Sequence, residues 1–148
     1  MHRILFVCLG NICRSPMAEM ILKDMVKKRG LEKEFEIASC ATSTEEVGNP
    51  VYPPARAELA RRGVPCAHRG ARQLTKADYE QYDLLIGMDA SNIRNMHRML
   101  GGDPQGKIRK MLDYAYGGDV ADPWYTGGFD RTFDDIKAGC EGLLKALL

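Results

Sequence analysis

The chain has 148 residues, 45% of them hydrophobic, with 21 basic and 20 acidic side chains and a net charge of +1. That length suits one domain, residues 1–148, built around a single core, and the near-balanced charge without a long basic run argues against nucleic acid or a membrane surface as partner. No stretch approaches the roughly 20 apolar residues of a membrane span, and the apolar run Ile4–Leu9 is too short for a signal-peptide core.

The first predicted element is a buried parallel strand over Arg3–Cys8, a continuous apolar run. Ser15 and Pro16 read as N-cap and first residue of a helix, whose apolar stripe is Ala18, Ile21, Leu22, Met25 and Val26 and whose end is Gly30. Phe35–Ala41 alternates as a second strand. Thr42–Pro54, rich in Ser, Thr, Gly, Asn and Pro, is a loop. A short helix over Ala55–Arg62 stops at Gly63, and Thr75 with Asp78 forms a capping box that opens another. Asp83–Met88 is a third strand, Ala90–Leu100 a helix ending at Gly101–Gly102, and Lys107–Leu112 a fourth strand. A loop containing Asp122–Pro123 follows. Phe129, Phe133, Ile136, Cys140, Leu143, Leu144 and Leu147 stripe a C-terminal helix.

Strands alternating with helices predict an α/β fold: one doubly wound domain with a four-stranded parallel sheet and helices on both faces. Ligands of such sheets bind beyond the carboxyl ends of the strands, near a switch in strand order. The segment Cys8-Leu9-Gly10-Asn11-Ile12-Cys13-Arg14-Ser15-Pro16 lies at such an end. A thiol opens this loop and a guanidinium closes it. Amides converging at a helix start bind anions, phosphate above all, and a cysteine in that field is expected to ionise readily. Nucleophile and phosphate cradle are therefore one object, which points to phosphoryl transfer to sulfur. Gly10 and Asn11 can both take positive φ inside the loop.

Cys8 is the predicted nucleophile, held by the loop amides of Leu9 to Arg14 and by the Ser15 hydroxyl. Arg14 is suited to clamp two phosphoryl oxygens bidentately, and Asn11 to order the loop by hydrogen-bonding its side-chain amide to neighbouring backbone. The route needs an acid for the departing oxygen, and Asp122, biased to extended backbone by Pro123 and flanked by glycines, is the candidate. Trp124 and Tyr125 beside it can wall a slot for an aromatic leaving group, or simply pack. Five cysteines, at 8, 13, 40, 66 and 140, form neither a disulfide framework nor a zinc pair, so reduced thiols in a cytoplasmic protein are expected. Cys13 stands close enough in sequence to Cys8 to form a disulfide with it on oxidation. No metal site is predicted.

The stretch Cys8–Pro16, together with Asp122-Pro123-Trp124-Tyr125 and the spacing between them, resembles the low-molecular-weight protein tyrosine phosphatase family over the whole chain. The resemblance implies a monomeric cytoplasmic hydrolase of tyrosine-phosphorylated proteins or peptides that works through a phosphocysteine and needs no cofactor. It strengthens the roles of Ser15, Asp122, Trp124 and Tyr125. Two places depart from the family pattern. A His that helps order the phosphate loop is expected shortly before an Ala-Arg pair, but His68-Arg69-Gly70-Ala71-Arg72 has the wrong spacing, so His68 is not assigned. The loop Thr42–Gly48 carries Thr44, Glu45, Glu46 and Val47 where an aromatic slot wall is common, and an acidic rim there shifts preference among phosphotyrosine substrates or weakens aryl selectivity.

Alternatives remain at this level. A protein-arginine phosphatase has a similar loop with Thr where Ile12 stands. An arsenate reductase relay needs a cysteine pair near residues 80–95, where this chain has none. A sugar-phosphotransferase carrier holds its phosphocysteine intact and needs neither Arg14 nor Asp122. A silent phosphate-binding module requires an unreactive Cys8.

Overall fold

The computed structural model describes residues 1–148. Its strands are β1 (His2–Cys8), β2 (Phe35–Ala41), β3 (Leu84–Gly87) and β4 (Ile108–Lys110). They form one four-stranded sheet in the order β2-β1-β3-β4, with all neighbouring pairs parallel. The helices are α1 (Arg14–Lys28), α2 (Pro53–Arg61), α3 (Lys76–Gln81), α4 (Ala90–Leu100), α5 (Pro123–Thr126) and α6 (Phe129–Leu147).

Both faces of β1 are covered, which is why its sequence runs apolar without alternation. Ile4 and Phe6 face a core shared with Met17 and Leu22 of α1, Leu59 of α2 and Leu143 of α6. Leu5 and Val7 face the opposite core with Leu74, Tyr79 of α3 and Met96 of α4. The chain leaves β1 for β2 on one side and returns to β3 on the other, so the order reverses at the carboxyl end of β1. Cys8 is the last residue of that strand. The expected doubly wound architecture is thereby present, with the loop at the switch point.

Three local expectations need correction. Helix α1 begins at Arg14 with Cys13 at its N-cap, not with Ser15 as N-cap and Pro16 as first residue. The Ser15 hydroxyl is drawn into the loop instead of the helix amides, and Pro16 in the first turn still costs no helical hydrogen bond. Of the two loop residues able to take positive φ, Asn11 does so, at 59°. The fourth strand ends at Lys110, and Met111–Tyr114 tightens into a 3-10 turn. That turn is pressed against α6, where a Cβ on Gly139 would come within 2.6 Å of Met111 Cε. Finally, Asp122–Pro123 is not all loop: Pro123–Thr126 makes a single helical turn capped by Asp122. The capping box of Thr75 and Asp78 is as expected.

The close seating of α6 makes Gly142→Ala a sharp probe, because the new Cβ would fall on the Tyr114 carbonyl oxygen. Since a backbone oxygen cannot swing aside like a side chain, the substitution should cost about 3 kcal/mol in urea unfolding.

Stability should also fall in alkali. Burial pushes the Cys40 and Cys140 thiols upward, and burial, then the charges of Cys8 and Asp122, push Cys13 up to about 12. Above pH 9.0, where such thiols ionise once unfolded, the unfolded chain binds fewer protons than the folded one. Their contribution is complete below that pH and is lost progressively as pH rises toward the folded values. The urea midpoint should therefore drop between about pH 9 and pH 11, and less so in Cys140→Ala relative to its own neutral-pH value.

Candidate active site

Of the amides between Leu9 and Arg14, that of Asn11 reaches the Cys8 sulfur. The Asn11 amide donates to Sγ at 3.3 Å, and Ser15 Oγ lies 3.0 Å from it. Asn11 Nδ2 donates to Ser15 Oγ at 2.8 Å, which occupies an acceptor site and leaves the hydroxyl proton for an acceptor. Those acceptors are Cys8 Sγ and, more distantly at 3.3 Å, the Cys40 carbonyl. The second Nδ2 proton goes to Ser39 Oγ at 2.9 Å, and Ser39 in turn donates to Glu19 at 2.6 Å. The Asn11 side-chain NH2 is thus spent on two hydroxyls instead of the neighbouring loop backbone expected from the sequence.

The Arg14 side chain is only 3% exposed. Its Nη1 donates to Asp89 Oδ2 at 2.6 Å and to the Val120 carbonyl at 2.9 Å, while Nη2 lies 3.5 Å from Asp122 Oδ2. Burial alone would weaken its proton affinity, but the charges of Cys8, Asp89 and Asp122 raise it above the usual guanidinium range, so the side chain is a permanent cation. The other Asp122 oxygen, Oδ1, accepts from the Trp124 amide at 3.1 Å. One carboxylate oxygen is thereby anchored by backbone and the other is turned toward the guanidinium.

Cys8, Leu9, Gly10, Ile12, Cys13, Arg14, Asp122, Trp124 and Tyr125 line one cavity of about 140 Å³, with Glu45 and Glu46 completing the wall. Asn11 and Ser15, both fully buried, lie behind it. Trp124 packs against Tyr52 with ring centroids 4.8 Å apart and planes tilted by 49°. The candidate site residues therefore meet at one place, where the Cys8 sulfur, the buried Arg14 cation, the Asp122 carboxylate and the exposed rings of Trp124 and Tyr125 share a cavity.

A family description of low molecular weight phosphotyrosine protein phosphatase matches residues 3–148. The chain belongs to this family. A low molecular weight protein-tyrosine-phosphatase of Bacillus subtilis, YfkJ, is 41% identical over 150 residues, covering 99% of this chain and 96% of the relative. Its crystal structure superimposes with a TM-score of 0.95 over 99% of this chain and 94% of that one. The human low molecular weight phosphotyrosine protein phosphatase is 35% identical over 149 residues, covering 98% and 92%. A Drosophila arginine phosphatase shares the fold at a TM-score of 0.89 and 30% identity, covering 97% and 96%.

Within this phosphatase scaffold, three residues escaped the sequence reading. Asp89 closes β3 and caps α4, accepting from the Asn92 amide with one oxygen and pairing with Arg14 through the other. Its signal was its place at the carboxyl end of the strand next to β1. Arg72 donates its amide to Asn11 Oδ1 at 3.2 Å and is itself held by a two-pronged pair with Asp78. Arg69 Nη2 donates to the Asn11 carbonyl at 2.8 Å, and its Nη1 is buried without a partner. Burial lowers the proton affinity of Arg69, with Glu19 and Cys8 opposing the shift. His68, which the sequence left unassigned, is exposed. The spacing that disqualified His68 is the spacing that delivers Arg69 to the loop.

Arg69→Met should strip the Asn11 carbonyl of that partner and loosen the one left-handed residue of the loop. The expected outcome is a fall of about tenfold or more in kcat toward para-nitrophenyl phosphate, with Arg69→Lys recovering part of it.

Proposed function

We propose that the chain hydrolyses protein phosphotyrosine, and small aryl phosphate monoesters, in two steps through a phosphocysteine on Cys8. The observation that carries this reading is the shared cavity in which Cys8 Sγ, cradled by Asn11 N and Ser15 Oγ, faces the same space as Arg14 and Asp122. In the first step the sulfur attacks phosphorus and the bond to the aryl oxygen breaks. Asp122 gives its proton to that oxygen, which leaves as a neutral phenol. In the second step Asp122, now a carboxylate, takes a proton from water as its oxygen attacks phosphorus, and the Cys8 sulfur departs to leave inorganic phosphate. Arg14 and the loop amides stabilise the equatorial oxygens in both steps.

The arriving phosphoryl oxygens compete with Asp122 Oδ2 for Arg14 Nη2, so binding frees the acid from the guanidinium while the Trp124 amide keeps it over the cavity. Ile12, packed with Cys13 and Ala71, supports phosphotyrosine over phosphoarginine because it brings no hydroxyl to a guanidino nitrogen. The reading also takes the chain as a cytoplasmic monomer acting on tyrosine-phosphorylated proteins or peptides. Cys13 serves there as the thiol that traps an oxidised Cys8 as a disulfide, protecting it from further oxidation; both thiols are free in this structure.

Turnover of para-nitrophenyl phosphate tests the assignment. Cys8→Ser should abolish both the burst and steady turnover, and Asp122→Ala should slow turnover by about a hundredfold or more. Inorganic phosphate should protect Cys8 of the wild type from iodoacetamide. A stable phosphoprotein without turnover would instead indicate a carrier.

A further inference from the structure

We propose that Glu45 and Glu46 make this site select phosphotyrosine segments that carry Lys or Arg next to the phosphorylated residue. The inference rests on the phosphatase reading above and names the class of substrate for that same site. The charged side chains lining the cavity are Arg14, Asp122, Glu45 and Glu46. The single cation lies at the floor, almost fully buried and paired with Asp89, where the phosphoryl group is to sit. It has no reach to side chains outside the slot. The wall that a flanking residue passes is therefore acidic.

Glu46 is fixed in that wall. Asn49 Nδ2 donates to its Oε2 at 2.6 Å, and its Cγ lies 3.4 Å from where a Cβ on Gly10 would stand, so the stem packs against the loop backbone. Glu45 is exposed beside it. On the other side of the mouth Trp124 and Tyr125 are 52% and 78% exposed and offer aromatic faces. A seated phosphotyrosine thus directs its neighbouring residues between two carboxylates and two π surfaces. Both attract an ammonium or guanidinium group, and the carboxylates repel Asp and Glu. Such electrostatic complementarity acts on partner choice more than on total affinity. Exposed pairs of this kind are each weak, so the expected preference is moderate and depends on ionic strength.

The test compares kcat/KM for two phosphotyrosine peptides that differ only in having Lys or Glu on either side of the phosphotyrosine. At low ionic strength the wild type should favour the Lys peptide by about tenfold, and added salt should shrink the ratio. In Glu45→Gln/Glu46→Gln the ratio should fall toward one, and in Glu45→Lys it should fall further or invert. Because each ratio is taken within one variant, a general loss of activity cancels. Hydrolysis of both peptides at equal rates by the wild type, or a ratio unchanged in the variants, would overturn the proposal while leaving the phosphatase reading intact. Failure of the wild type to hydrolyse either peptide would sink that underlying reading instead.

Discussion

Asn11 holds the site in shape. It is fully buried and left-handed at φ 59°, a conformation that costs most L-residues roughly 1–2 kcal/mol and that Asn tolerates better than most. Its amide points at the Cys8 sulfur and its carbonyl outward to Arg69, while its side chain joins Ser15, Ser39 and the Arg72 amide. Every polar atom of the residue is engaged in a region shielded from water, where an unmet group is expensive. The direction of the Asn11 amide toward the sulfur is thus fixed by contacts within the fold.

Charge is arranged on the same principle. A buried guanidinium is tolerable only when paired, and Arg14 is paired twice, with Asp89 and with Asp122. The two pairings differ in kind. Asp89 belongs to a strand end and a helix cap and stays in place. Asp122 is tied at one oxygen to a single helical turn, between glycines at 117, 118 and 127 that all take positive φ. One carboxylate that pairs with the cation is therefore built into the sheet and a helix cap, and the other is carried on a short turn.

The sheet was legible because burial on both faces of β1 leaves an unmistakable apolar run, and because a strand, a loop and a helix in succession restrict the topology to few choices. The loop was legible because its chemistry requires particular residue types close together in sequence. What lay hidden is what folding brings from afar. Asp89 stands 75 residues from its partner Arg14, and Arg69 stands 58 from Asn11, so no local pattern announces either pairing, and only the strand-end position of Asp89 hinted at a role. Ser15 misled for a different reason: a hydroxyl before Pro suits a helix cap, but the sulfur and Asn11 compete for it and win. The one-turn helix after Asp122 is too short for periodicity, although Asp followed by Pro is itself a cap and first-turn signature.

The aromatic wall has a practical consequence. Trp124 is the sole tryptophan of the chain, half exposed in the cavity lining and packed against Tyr52. Indole emission responds to polarity and to nearby rings, so the molecule contains a single built-in fluorophore at the place where ligands enter. Occupancy of the slot can be followed from its intrinsic spectrum, with no label attached and no background from tryptophans elsewhere.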